Sequence, residues 1–311
     1  MATGPEAGKI FVGRCVRVEV NEGVNMRFEI LGTKGRSGTL FSFVPYLVLA
    51  LLAGCGGGGG PATSPQPPAV IPQAFSDADW AKVLSAVVTP DGYVKWDLIQ
   101  NDQDGVREVL LKYVGLVQAV SPANHPEMFA TDQYRLAYWI NAFNATCMYA
   151  VIEHGYPGGM LAGNPPGAIF SKEIFTFGGQ TTTLNDLVRK KVESAGDARV
   201  FFALNECARS SPPLRWSPYD GAVLEAQLVD QGQRYLSDPR AAVREGATVK
   251  VNDLFYLHRQ AFLAGFEKLF GVKPTGILEA LQPYVQSDSL IVGATGVEKL
   301  GFDWSLNRPP R

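Results

Sequence analysis

Ile174-Phe175-Thr176-Phe177-Gly178-Gly179-Gln180-Thr181-Thr182-Thr183-Leu184 sets two short β-prone runs around a pair of glycines. Aromatic and β-branched residues fit a pleated surface, and adjacent glycines supply the backbone angles of a tight turn. The stretch therefore predicts an antiparallel hairpin, since a parallel crossover needs a dozen or more residues. Thr183 and Asp186 then suit the cap of a helix running from Leu184 to about Glu193.

Outward from the hairpin, the chain reads mainly as helix. Residues 76–88 follow a Ser76 or Asp77 cap and place Trp80, Val83, Leu84 and Val87 on one face. Residues 103–120 repeat the spacing through Val106, Val109, Leu110, Tyr113 and Val117. From Asp132 to His154, the residues Ile140, Phe143, Cys147, Val151 and His154 recur at three- and four-residue steps, and Gly155 offers a left-handed stop. Pro90-Asp91-Gly92 marks a turn before a short extended piece, Tyr93 to Trp96. Beyond the hairpin, Val200 to Leu204 is an apolar run predicted to be a buried strand. Helices near 220–236 and 253–270 flank the strand-like Thr248 to Val251. Helices outnumber strands and the hairpin is antiparallel, so the expected class is α+β: one predominantly helical domain with a small, partly antiparallel sheet.

The N-terminal region has a different character. Arg27, Lys34 and Arg36 precede a mostly apolar run from Phe41 to Ala53, which is short for a bilayer span of roughly 20 residues but right for a signal-peptide core. Leu52-Ala53-Gly54-Cys55 closes that run as the lipobox of a bacterial lipoprotein does. Residues 1–54 are accordingly expected to be a signal peptide, with 1–25 an upstream extension and Met26 the start. Residues 55–73, a lipidated Cys55 followed by Gly- and Pro-rich sequence, are expected to form a tether, and 74–311 the globular domain. The expected location is the bacterial cell envelope, on the periplasmic side, with the membrane reached through the lipid on Cys55. Six basic and four acidic residues precede Cys55, so the net charge of −2 for the chain becomes about −4 beyond it. That balance argues against a nucleic-acid partner.

Chemistry concentrates in two blocks. Ala137-Tyr138-Trp139-Ile140-Asn141-Ala142-Phe143-Asn144-Ala145 places two amides on an apolar helix, where each must be hydrogen-bonded to be tolerated. Phe202-Ala203-Leu204-Asn205-Glu206-Cys207-Ala208-Arg209-Ser210-Ser211-Pro212-Pro213-Leu214-Arg215 runs an apolar segment into a loop with an acid, a thiol, hydroxyls and arginines.

With Gly92-Tyr93-Val94 upstream and Phe302-Asp303-Trp304-Ser305-Leu306-Asn307 at the end, these blocks resemble the DUF547 domain family across roughly residues 76–307. Some members of that family are joined to glutaredoxin-like domains, which implies thiol chemistry. Members often read Ala-Leu-Asn-Cys-Gly-Ala-Lys-Ser-Cys-Pro-Pro. Without a gap, the two family cysteines fall on Glu206 and Ser211, and Cys207 lies one place after the first. The family histidine before Phe-Ala-Leu corresponds to Phe201, and the Glu-His pair upstream of it to Val188-Arg189.

Two classes of function follow. In one, the protein is a thiol-dependent hydrolase or acyl transferase, with Cys207 as nucleophile assisted by Glu206 and His258. In the other, it is a non-catalytic binding or assembly module. For either, Asn141, Asn144, Asn205, Arg209, Ser210 and Arg215 are the candidate binding residues, and the arginines favour a small anionic ligand or a carboxylate of an envelope protein. The three histidines lack ligand spacing, so no metal is expected, and no cofactor is implied.

Overall fold

The computed structural model describes residues 64–287 and 289–310, with the backbone of three short strands nearer the N-terminus. The Leu52–Cys55 signature and the glycine run after it lie outside the described residues. Met1–Gly58 and Gly59–Arg311 form two compact units. In the first, β1 (Lys9–Phe11), β2 (Val16–Asn21) and β3 (Asn25–Ile30) pair antiparallel in that order, within the stretch expected to be an extension and the start of a signal peptide.

The second unit is a helix-dominated α+β domain. Helices α1 (Ala78–Val87), α2 (Trp96–Gln100) and α3 (Val106–Ala119) lead to the long α4 (Asp132–Glu153). After α5 (Ala168–Ser171) comes the hairpin, β4 (Phe175–Phe177) and β5 (Gln180–Thr182), antiparallel across Gly178-Gly179 as expected. Helix α6 (Leu184–Leu187) is capped by the Thr183 hydroxyl, which accepts from Asp186 N. The helix expected through Glu193 instead widens into a π-helical turn over Val188–Val192 and tightens over Glu193–Ala195. Helix α7 (Leu224–Leu236) precedes β6 (Ala242–Glu245) and β7 (Thr248–Asn252). Helices α8 (Leu254–Leu257) and α9 (Arg259–Phe270) replace one expected helix and are interrupted at His258. Helix α10 (Ile277–Leu281) and β8 (Gly296–Gly301) complete the domain. The second sheet has the order β6-β7-β8, antiparallel then parallel.

Two further expectations change. Residues 198–202 form a 3-10 turn and not a strand: the Asp197 carboxylate accepts from Arg199 N at 2.9 Å and starts the turn. An apolar run buried on all sides does not distinguish a strand from a buried helical turn. Helix α4 is buried all round from Ala137 to Ile152, not along one stripe, so it is the axis of the core.

The start of the domain also lies closer than a free tether implies. Gln66 and Pro67 lie against Gly115 of α3, where a Cβ would stand 2.2 Å from the Gln66 carbonyl oxygen. Phe75 then packs among Tyr113, Phe129 and Tyr138. Among the described residues, no helix is long and apolar enough to cross a membrane.

The turn at 90–92 makes a close approach of its own. Gly92 has φ +76°, and a Cβ there would meet Pro213 Cβ at 2.6 Å and Leu214 N at 2.8 Å. Gly105 has a similar φ of +71° with open space around it. Gly105→Ala is expected to cost about 1–2 kcal/mol from backbone strain alone. Gly92→Ala, which adds the clash, should cost at least about 2 kcal/mol more. Urea unfolding of the two variants separates the contributions; equal midpoints would show that the 213–214 backbone yields.

Candidate functional site

An amide in the middle of a buried helix has to find partners, and Asn144 finds them across the core. Its Nδ2 donates to Ala203 O at 3.0 Å, and its Oδ1 accepts from Asn205 N at 2.8 Å. Asn141, one turn earlier, forms the same two-bond clamp on the backbone of Tyr219, at 2.8 and 2.9 Å. The two asparagines thus grip the chain at both ends of the segment from 203 to 219. Asn141 reaches past the 205–215 loop rather than onto it.

The loop is pinned internally as well. Asn205 Nδ2 donates to Pro212 O at 2.7 Å, while its Oδ1 accepts from Cys207 N at 2.9 Å. Ser211 Oγ accepts from Glu206 N at 3.2 Å and donates to Glu206 Oε2 at 3.1 Å. Ser210 Oγ accepts from Asp303 N, and the Ser210 carbonyl accepts from Tyr235 Oη and Asn252 Nδ2. Gln231 Nε2 holds the carbonyls of Phe202 and Pro213 together.

The C-terminal segment closes over this loop. Ala208 bridges to Leu306, Arg209 N donates to Ser305 O, and Asn307 N donates to Cys207 O. Asn307 O accepts from Trp96 Nε1 and Val94 N, and Asn307 Nδ2 donates to Gly92 O. Segments separated by more than two hundred residues therefore meet around one loop. Gln231, Asn252 and Asn307 are structural partners that the candidate residues omit. The signal for Gln231 is a polar residue at helical spacing between Leu228 and Tyr235; for Asn252 no local signal exists.

Cys207 is fully buried and has φ +58°, a left-handed conformation. In the family pattern this position is glycine, which adopts such an angle without strain. Burial, with the Glu206 carboxyl beside it, pushes the Cys207 thiol well above its ordinary pKa. Cys147 is likewise buried and free, with its thiol raised by burial. His258, the expected assistant, stacks on Phe201 with ring centroids 3.7 Å apart and has Nδ1 3.4 Å from Glu193 Oε1. Burial pushes it down to about 4, so it is neutral at pH 7. The structure thus places His258 with Glu193 and Phe201, not in a dyad with Cys207.

The arginines divide. Arg215 pairs with Asp230 and lies over the Tyr219 ring, 5.8 Å from its centroid. Arg209 donates to Arg308 O at 3.3 Å and lies over Tyr93. Neither contacts Glu206. A groove of about 1030 Å³ is lined by Trp139, Lys190, Lys191, Arg199, Leu228 and Lys268 among others, and none of the candidate residues borders it. Among the described residues, no three His, Cys, Asp or Glu side chains group as metal ligands.

A model of the family described as "Protein of unknown function, DUF547" matches residues 128–236, a span that holds α4, the hairpin, the 205–215 loop and α7. Comparison with curated proteins and with solved structures gives no match.

Glu206 keeps partial exposure as a residue, but its carboxyl is enclosed by protein, and burial pushes it up to about 7 against the opposing Ser211 bond. Asp77 is pushed up to about 6 by burial, which outweighs the bonds from Tyr113 and Asn141. For both acids the folded state holds a proton that the unfolded chain has already lost. Their contribution to stability is therefore full below the ordinary pKa values, 4.5 for Glu206 and 3.8 for Asp77, and is lost as pH rises through about 7 and about 6 respectively. Glu206→Gln cannot ionise and keeps an acceptor for Ser211. It is expected to match the wild type near pH 4.5 and to exceed it at pH 8 by about 3 kcal/mol, with a residual slope from Asp77. Urea midpoints at the two pH values test this, and identical pH slopes for variant and wild type would refute it.

Proposed function

We propose that this chain is a lipid-anchored protein of the bacterial envelope whose DUF547-like domain is a non-catalytic binding module. The observation that carries the reading is the state of Cys207. Its thiol is fully buried, its pKa is raised, and the group beside it is a carboxyl, which opposes thiolate formation. A nucleophilic cysteine needs the reverse: exposure, and a base or a positive field.

The surrounding polar groups support the same reading. Asn144, Asn205, Ser210 and Ser211 are engaged with backbone or with Glu206, so they hold the loop's shape. Where the resembling family has cysteines, this chain has Glu206 and Ser211, bonded to each other. The anchor reading rests on the basic flank, the apolar core and Leu52-Ala53-Gly54-Cys55.

Iodoacetamide labelling of the folded full-length chain at pH 8, followed by mass analysis of the Cys207 peptide, tests the first part. No labelling is expected before global unfolding; rapid modification of folded protein would return Cys207 to the catalytic candidates. For the anchor, Cys55→Ser is expected to abolish incorporation of radiolabelled palmitate and to move the protein from the membrane to the soluble fraction. Persistence of the variant in the membrane fraction would overturn lipidation at Cys55.

A further inference from the structure

We propose that Arg215, Arg234 and Arg240, with Tyr219 and Trp216, form a binding site for an oxyanion, a phosphate or carboxylate group on the ligand of this module. The site rests on the non-catalytic binding reading and supplies its ligand chemistry.

Two of the guanidinium groups meet at the turn at 90–92, and Arg215 lies near enough to Arg234 for their charges to act on each other. Arg234 Nη2 donates to Pro90 O, and Arg240 Nη2 donates to the next carbonyl, Asp91 O, at 2.6 Å. Adjacent acceptors bring those two cations side by side. Arg215 is tied to Asp230, which stands one helical turn before Arg234 on α7. Arg240 is also held by Asp238, with contacts of 2.8 and 2.6 Å, and lies 4.5 Å from the Tyr93 ring centroid. Three guanidiniums thus share two carboxylates. Arg234 has no carboxylate partner among the described residues; its neighbours are a carbonyl and the Trp216 ring, 5.9 Å from its Cζ.

Like charges gathered this way repel, and the repulsion is visible in the site. Burial first, and then Arg240 and Arg215, hold Arg234 below the ordinary arginine pKa. A fold that needed only to brace the turn could use one of these residues.

The donors left over point to a ligand. Arg215 Nε, Arg240 Nη1 and Tyr219 Oη are buried and have no hydrogen-bond partner among the described residues. The Arg240 side chain is 8% exposed and Tyr219 2%, so solvent is nearly excluded from both. An unsatisfied buried donor costs roughly 1–3 kcal/mol, more when it is charged. An oxyanion satisfies such donors with short, charge-assisted bonds and relieves the repulsion at the same time. The arginine fork suits both the planar carboxylate and the tetrahedral phosphate. Trp216, 59% exposed beside Arg234, gives the rest of the ligand an apolar face to lie on.

Calorimetric titration of the full-length chain with inorganic phosphate and, separately, with citrate tests the site, at constant ionic strength balanced with chloride. Saturable binding of one of them at one site per chain is expected, and the anion that binds more tightly names the group. Arg234→Gln is expected to weaken that binding at least about tenfold without lowering the unfolding midpoint, because it removes the most crowded charge. Lys82→Gln, on the exposed side of α1, should bind as the wild type does. Should Arg234→Gln fail to fold, Trp216→Ala at the exposed edge is expected to weaken binding several-fold. The site is overturned if neither anion saturates, if Arg234→Gln or a folded Trp216→Ala binds as the wild type does, or if Lys82→Gln loses as much affinity as Arg234→Gln. Absent binding with Cys207 still unlabelled would remove this site and leave the non-catalytic reading standing; anion binding with rapid Cys207 labelling would do the reverse.

Discussion

The clamp between Asn144 and the backbone at 203–205 is the contact on which the organisation of the domain depends. Helix α4 runs through the core and is enclosed on every side, so an amide at its centre is tolerated only if both its donor and its acceptor are used. Asn144 uses both on one short piece of chain, and that fixes where the 203–215 loop leaves the core. Once the loop is fixed, Ala208 and Cys207 offer their backbone to the C-terminal segment, and Asn307 carries the connection to Trp96 and Gly92. One buried amide therefore organises three distant parts of the chain.

The same network engages most of the polar groups in a stretch rich in reactive residue types. Hydroxyls and amides of the site are engaged in holding the loop against α4, α7 and the terminal segment. The left-handed angle at Cys207 is held by this packing: its N–H donates to Asn205 Oδ1, and its carbonyl accepts from Asn307 N. A thiol is carried where glycine would be less strained, and it is turned into the core. What remains titratable near pH 7 is the Glu206 carboxyl, kept from ionising easily by enclosure rather than by a charged neighbour.

Charge is distributed against the overall balance. The chain is mildly acidic as a whole, yet Arg234 and Arg240 meet at the turn where Pro90 and Asp91 present their carbonyls, with Arg215 nearby on Asp230. Net charge speaks to solubility and long-range attraction, not to a local cluster assembled from three separate stretches of chain. The groove beside Trp139 and Lys191, lined by both charged and apolar residues, is a further surface on which the candidate residues have no part.

Sequence periodicity alone determined the helices α1, α3 and α4, the Gly-Gly hairpin, the Thr183 cap and hence the α+β class, because each depends on contacts within a few residues. It also required that Asn141 and Asn144 be hydrogen-bonded, since a polar group on an apolar helix must bond something; which backbone each one reaches came from the fold. Tertiary structure decided the rest. The run at 200–204 became a 3-10 turn because burial on all sides erases the alternation that marks a strand. His258 went to Phe201 and Glu193 because the break between α8 and α9 set its direction. Arg234 and Arg240 came together at the turn at 90–92, far away in sequence, and Arg215 came beside them through Asp230. No spacing rule reports a pairing of that kind, because the free energy that sets it comes from closing the whole core and not from any local stretch of chain.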